Sequence, residues 1–310
     1  MKTQKLDRKR ARAWRVVSTV LLVLLTAYIL HNSWTVVSSS FALIRHAESG
    51  WVLLSIALMG LTFCLAAAMY GLLALHPLKY FQTLLVEVAA AFVGRLLPAG
   101  LGGLGLNGVY LFRRRHTAAD ATVVTSVNNV IGVGMHVLLL GLVITFNPRM
   151  IGLFTAHSRV KNMGSLMVVV IILVLLVPAI RTRLKLLVRN VLASLRKERL
   201  GRVLTAGLLS GLLTLSYTLI LFCVSRSLGL SLSLLQIFIV FSIGMFVGTV
   251  TPAPGGLVGT EAGLYSALLG FGARDSSAVA TVVIFRLVTY WLPLVPGVFA
   301  LGVARSKDLV

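Results

Sequence analysis

The chain has 310 residues, 58% of them hydrophobic and only 12% charged, with a formal net charge of +21 and a mean hydropathy of +0.96. This composition excludes an ordinary soluble domain and leaves a polytopic membrane protein. The positive charge does not indicate nucleic acid, because Lys and Arg fall in short clusters beside apolar stretches and form no basic, aromatic-interleaved surface.

A membrane-spanning helix needs about 20 mostly apolar residues. In chain order, Trp14–His31, Trp51–Leu75, Asp120–Phe146, Met163–Ile180, Val203–Ser225 and Ser277–Ala304 supply that length, which predicts six full crossings. The basic cluster from Lys2 to Arg15 precedes the first span and sets the N-terminus in the cytoplasm by the positive-inside rule. A basic segment before an apolar one also resembles a secretory signal. No small-residue cleavage site follows Leu30, so a retained first span is expected. Alternate threading then puts Lys79, Arg113–Arg115, the eight basic residues from Arg181 to Arg202, and Arg305 with Lys307 inside. The expected location is a prokaryotic plasma membrane with both termini cytoplasmic. Residues 1–13 form the basic N-terminus, 14–304 a single transmembrane domain and 305–310 a short tail.

Within 181–202, Leu184, Leu187, Val188, Val191, Leu192 and Leu195 recur at helical spacing among Arg and Lys, which predicts an amphipathic helix on the anionic inner leaflet. A plain stop-transfer linker is the alternative. Cys64 and Cys223 lie in predicted spans without ligand spacing, which predicts packing roles rather than a disulfide or a metal site.

Two further apolar stretches, Tyr80–Leu97 and Leu234–Val250, each run into a break rich in Pro and Gly. From Pro98 the chain reads PAGLGGLGLNGVYLF, a polar link and a span; from Pro252 it reads PAPGGLVGTEAGLYSALLGFG, a link and a span. The stretches 80–146 and 234–304 thus share one plan. Their tight turns fall on opposite sides in the threading above, so the copies are expected to be inverted. The fold class that follows is an all-α membrane domain with about six full spans and two broken, re-entrant hairpins related as inverted repeats.

Pro98, Gly102 and Gly103 in the first break, and Pro252, Pro254, Gly255 and Gly256 in the second, remove backbone donors or permit close approach. Ordinary surface turns would use the same residues. Gly102, Gly103 and Gly105 form no phosphate loop, because no Lys-Ser/Thr pair and no soluble βαβ unit accompany them.

Ionisable groups inside apolar segments cost several kcal/mol unless paired or hydrated, so each is a functional candidate. Arg286 lies about 15 Å into its span at 1.5 Å per residue. Glu261 opens the second half-helix, where the macrodipole favours a carboxylate, and could face Arg286 across the break. In the first copy Glu87 and Arg95 share one helix. For both sets a structural ion pair and a ligand contact stand as open alternatives. Asn128 and Asn129 occupy the place that matches Arg286, and Asn107 lies on the first half-helix. His136, Tyr290 and Trp291 suit packing or interface roles. The chain has neither a His-Glu-x-x-His nor a strand-turn-helix Gly-x-Ser-x-Gly, and with eight acidic residues in all it predicts no enzyme, no metal and no cofactor.

The stretch TPAPGGLVGTEAGLYSALLGFG from Thr251, continued by VVIFRLVTYWLPLVPG to Gly297, resembles the family known as the lysylphosphatidylglycerol synthase transmembrane region, or flippase-like domain. The likeness extends from about residue 15 to 304. It singles out Pro254, Gly255, Gly256, Glu261, Arg286, Tyr290 and Pro293, with Pro98, Gly103 and Asn107 matching a weaker first motif. Where many relatives carry charged residues in the first copy, this chain has Asn107, Val109 and Asn128-Asn129. Larger relatives attach an aminoacyl-transfer domain, which is not expected here.

The resemblance implies movement of a phospholipid or related amphiphile between leaflets, and the lack of a nucleotide-site motif in the sequence suits exchange without ATP. The expected partners are membrane lipids with an anionic or lipid-phosphate headgroup, contacted by Arg286, Glu261, Arg95, Glu87, Asn107, Asn128, Asn129 and Tyr290. The alternative is a non-transporting subunit that binds or organises lipid or a lipid-modifying enzyme.

Overall fold

The computed structural model describes residues 34–96, 101–147, 200–251 and 256–310, whose regular structure is all helical. The predicted spans Trp14–His31 and Met163–Ile180 and the basic stretch up to residue 199 lie outside the described residues, as do Pro98, Pro252, Pro254 and Gly255.

In chain order the helices are α1 (Trp34–Arg45), α2 (Ser49–Leu73), α3 (Tyr80–Leu96), α4 (Leu101–Arg113), α5 (Ala118–Phe146), α6 (Leu200–Ser227), α7 (Leu234–Val250), α8 (Gly259–Gly270), α9 (Asp275–Arg286) and α10 (Leu294–Ser306). A π-helical turn, Leu287–Trp291, joins the last two into one span. Among the described residues, four stretches are long and apolar enough to cross a membrane: Ser49–Leu73, Ala118–Phe146, Gly201–Ser227 and Asp275–Ser306. These coincide within a few residues with four of the predicted crossings. Bulky apolar side chains such as Phe81, Val133, Leu208 and Phe299 are exposed, as suits surfaces that meet lipid rather than water.

The span ends sort into two groups. At one end the Glu48 amide donates to Ser227 O at 2.9 Å and the Ser40 hydroxyl to Ser276 O at 3.0 Å. At the other, Arg113 pairs with Asp308 at 3.2 Å, and the Leu75 and His76 amides donate to Nε2 of buried His116 at 3.1 and 3.2 Å. A ring nitrogen that accepts two bonds carries no proton, so Nδ1 is the protonated one and faces the Leu111 carbonyl at 3.1 Å. The helix pair α3–α4 opens toward this basic end and α7–α8 toward the opposite end. Capping boxes start α5 (Thr117 with Asp120) and α7 (Ser233 with Gln236), satisfying backbone donors that the bilayer would leave orphaned.

In lipid, helices gain nothing from hiding apolar surface, so close backbone approach and polar contacts hold them together. A methyl group at Gly263 would lie 2.9 Å from Gly244 Cα, and one at Gly248 would collide with the Thr260 hydroxyl. These glycines, spaced as Gly244-xxx-Gly248 and Gly259-xxx-Gly263, let α7 and α8 touch along their backbones. Gly102 and Gly103, expected in the first break, instead form the first turn of α4, where a side chain at Gly102 would collide with Val93 O. Gly256 takes φ +66° in the turn before α8, as the break predicts.

The larger apolar core joins Met59 of α2 and Ile220 and Leu221 of α6 to Phe241 of α7, Leu264 and Leu268 of α8, and Phe285 of α9. A second, around Tyr70, Leu111, Val124 and Ala206, lies under the first hairpin. The site occupies the space between them.

Candidate functional site

Proline and a widened helical turn organise the centre. Pro293 has no N–H, so the Thr289 carbonyl four residues earlier loses its usual helical donor. The π turn places this orphan acceptor at the end of α3, where Nη2 of Arg95 donates to it at 2.5 Å. The other terminal nitrogen, Nη1, donates to Ala91 O on its own helix. Gly297 permits the approach, since a methyl group there would lie 2.6 Å from Phe92 Cβ. Arg95 therefore straps the first hairpin to the last span. Glu87 and Arg95, which the sequence leaves open as an ion pair, do not pair.

Arg286, the last residue of α9, donates from Nε to Glu261 Oε1 at 2.7 Å, and the two side chains are 11% and 30% exposed. Glu261 sits in the first turn of α8, the favourable end of the helix dipole. This is the contact across the break that the sequence anticipates. The Arg286 guanidinium lies over the Tyr290 ring at 4.5 Å from its centroid, and that of Arg95 stands at 5.4 Å from the same centroid. One aromatic ring thus carries a cation from each half of the molecule, an arrangement that strengthens when water is excluded.

Beside this cluster, Arg95, Glu87, Asn107, Asn128 and Asn129 line one cavity of about 360 Å³. Asn107 is the polar neighbour of the Glu87 carboxylate, and Asn107 and Asn128 are those of the Tyr70 hydroxyl. Glu87 Oε1 is buried and has no hydrogen-bond partner. Asn129 turns partly away, its amide donating to Thr125 O at 3.0 Å.

Tyr70, Thr62 and Tyr217 also line this cavity but were not among the residues the sequence singled out. They sit on continuous apolar spans with no break to mark them. The His136 ring lies tilted against Phe238 and edge-on to Phe241, and the exposed Trp291 meets Tyr290 edge-on. Among the described residues no three His, Cys, Asp or Glu side chains gather as metal ligands.

Apolar spans, two interrupted hairpins and ionisable groups gathered between them define a helical membrane domain with a polar interior. The chain belongs to the family of the lysylphosphatidylglycerol synthase TM region, whose model matches residues 13–297. No curated protein matches the chain.

Proposed function

We propose that this protein moves a phospholipid or related amphiphile with an anionic phosphate headgroup between the leaflets of the plasma membrane, without ATP and without covalent chemistry. The observation that carries this reading is the convergence of Arg95 and Arg286, from the two halves of the chain, on the Tyr290 ring beside a polar cavity. A phosphate drawn into hydrocarbon loses its hydration at large cost. A guanidinium offers it planar, bidentate donors in return, and the acyl chains can stay in lipid throughout.

We read α3–α4 and α7–α8, opening toward opposite ends, as inverted repeats whose broken helices enclose the site, a plan suited to access from either leaflet. Six full spans with both termini cytoplasmic complete the reading, since the basic end, with Arg113 and Arg115, then faces the anionic inner leaflet.

The test is leaflet exchange of a labelled anionic phospholipid in liposomes containing Arg286→Ala, Arg286→Lys or wild-type protein. Exchange should vanish in Arg286→Ala and persist in part in Arg286→Lys, with all three proteins folded and inserted. Wild-type rates in Arg286→Ala would remove the residue from the mechanism.

A further inference from the structure

We infer that the cavity at Glu87 holds one small positive charge, an alkali cation or a proton, and that this charge is the partner that lets an anionic headgroup bind at Arg95 and Arg286. The inference rests on the lipid-translocase reading above and adds its coupling ion.

The first support is the donor set. Glu87 Oε1 is buried without a hydrogen-bond partner, and no Lys, Arg or His pairs with Glu87 among the described residues. Around the same cavity stand the amides of Asn107 and Asn128 and the hydroxyls of Tyr70 and Thr62. Thr62 donates its proton to Met59 O at 2.7 Å, which leaves the oxygen lone pairs for another partner. One carboxylate among neutral oxygens suits a hard cation of single charge, whereas a divalent ion calls for more carboxylates. A carboxylate drawn into the bundle carries a desolvation cost, which the neutral Asn107 side chain beside it offsets only in part.

The second support is charge balance. Arg95 and Arg286 are opposed by Glu261 and Glu87, so the site with an empty cavity is neutral. A single positive charge at Glu87 leaves the site with an excess of one, which matches the single negative charge of a phosphodiester. Cation and headgroup therefore favour each other, and the coupling is reciprocal.

The elements packed around α3 add no competing cation at Glu87. Tyr70 faces it from α2 and Tyr217 lines the cavity from α6. Tyr110 of α4 is bonded to Thr83, and α5 presents only Asn128 and Asn129. Arg305 is exposed at the end of α10, and Arg95, on α3 itself, is turned to Thr289.

The experiment follows binding of a short-chain anionic phospholipid to the purified full chain in detergent, read as a shift in thermal midpoint. Choline chloride is replaced by sodium, lithium or potassium chloride at alkaline pH, and in a separate arm the choline sample is acidified. Wild-type lipid affinity should rise about tenfold with one of these cations, within the usual range for coupled sites. Dependence on the metal salt assigns an alkali ion and dependence on acid alone assigns a proton. Glu87→Gln should bind lipid as tightly as the cation-filled wild type and ignore both arms. Glu87→Asp, the second variant should Glu87→Gln not fold, should need a higher cation concentration.

Wild-type affinity indifferent to every cation and to acid overturns the inference, as does a wild-type response retained in Glu87→Gln or an unshifted one in Glu87→Asp. Substitution of ethanolamine chloride as the sole effective salt assigns an amine site and also overturns it. Failure of leaflet exchange with this coupling intact refutes the translocase reading alone; normal exchange without the coupling refutes only the inference.

Discussion

If Arg95 is a strap for a carbonyl that Pro293 has orphaned, then returning a backbone donor to residue 293 should make the arginine less necessary. The perturbation is a double-mutant cycle of Arg95→Leu and Pro293→Ala. In the wild-type background, Arg95→Leu removes the 2.5 Å bond to Thr289 O and strands a carbonyl inside the bundle. A hydrogen bond from a charged donor is worth about 1.5–3 kcal/mol, and an unpaired buried acceptor costs about 1–3 kcal/mol. Loss of the buried charge offsets part of this, so a net loss of about 2 kcal/mol is expected.

With Ala at position 293 an N–H can reach Thr289 O, and the same substitution should cost under about 1 kcal/mol. The coupling between the two sites is then at least about 1 kcal/mol, well above the few tenths seen for independent positions. The assay is reversible unfolding in mixed detergent micelles, with equal protein and lipid throughout. Additive effects, with coupling below about 0.5 kcal/mol, would refute the link between Arg95 and the proline-freed carbonyl.

Other substitutions probe the remaining supports by the same unfolding assay. Gly263→Val should destabilise the α7–α8 pair by about 1–3 kcal/mol or more, because the side chain meets backbone, whereas Gly201→Ala, with nothing within 4 Å, should be neutral or mildly stabilising. Val258 is β-branched, 74% exposed and held at φ +70°, so Val258→Asn should stabilise by about 1 kcal/mol by relieving backbone strain. His116→Leu leaves the Leu75 and His76 amides without their acceptor and should cost about 2 kcal/mol, whereas a loss below about 0.5 kcal/mol would show that water serves them equally well.

Four of the six expected spans were legible because the bilayer forces apolar runs of fixed length, as where the sequence predicts Asp120–Phe146 and the helix runs Ala118–Phe146. The interrupted hairpins were legible from Pro and Gly, although Gly102 and Gly103 prove to be helical packing residues rather than loop residues. The Gly244-xxx-Gly248 and Gly259-xxx-Gly263 spacing is a helix-contact signal that the sequence also carries. Glu261 and Arg286 were legible as partners because each stood out as a charge in an apolar segment.

The Arg95 bond to Thr289 was not legible, for its acceptor is a backbone carbonyl 194 residues away, freed by Pro293 and brought to α3 by a π turn that leaves no mark on hydrophobic periodicity. Tyr70 and Thr62 were missed for a related reason. Polar side chains on a continuous span reveal which face they occupy only once the neighbouring helices are in place.

The most direct measurement of the central claim is leaflet exchange by the purified chain in liposomes, using labelled anionic, zwitterionic and cationic lipids in parallel. The account predicts exchange that favours anionic phosphate headgroups and exceeds that of protein-free liposomes. Folded, inserted protein that exchanges none of these lipids would contradict it and point to a membrane subunit that binds lipid without moving it.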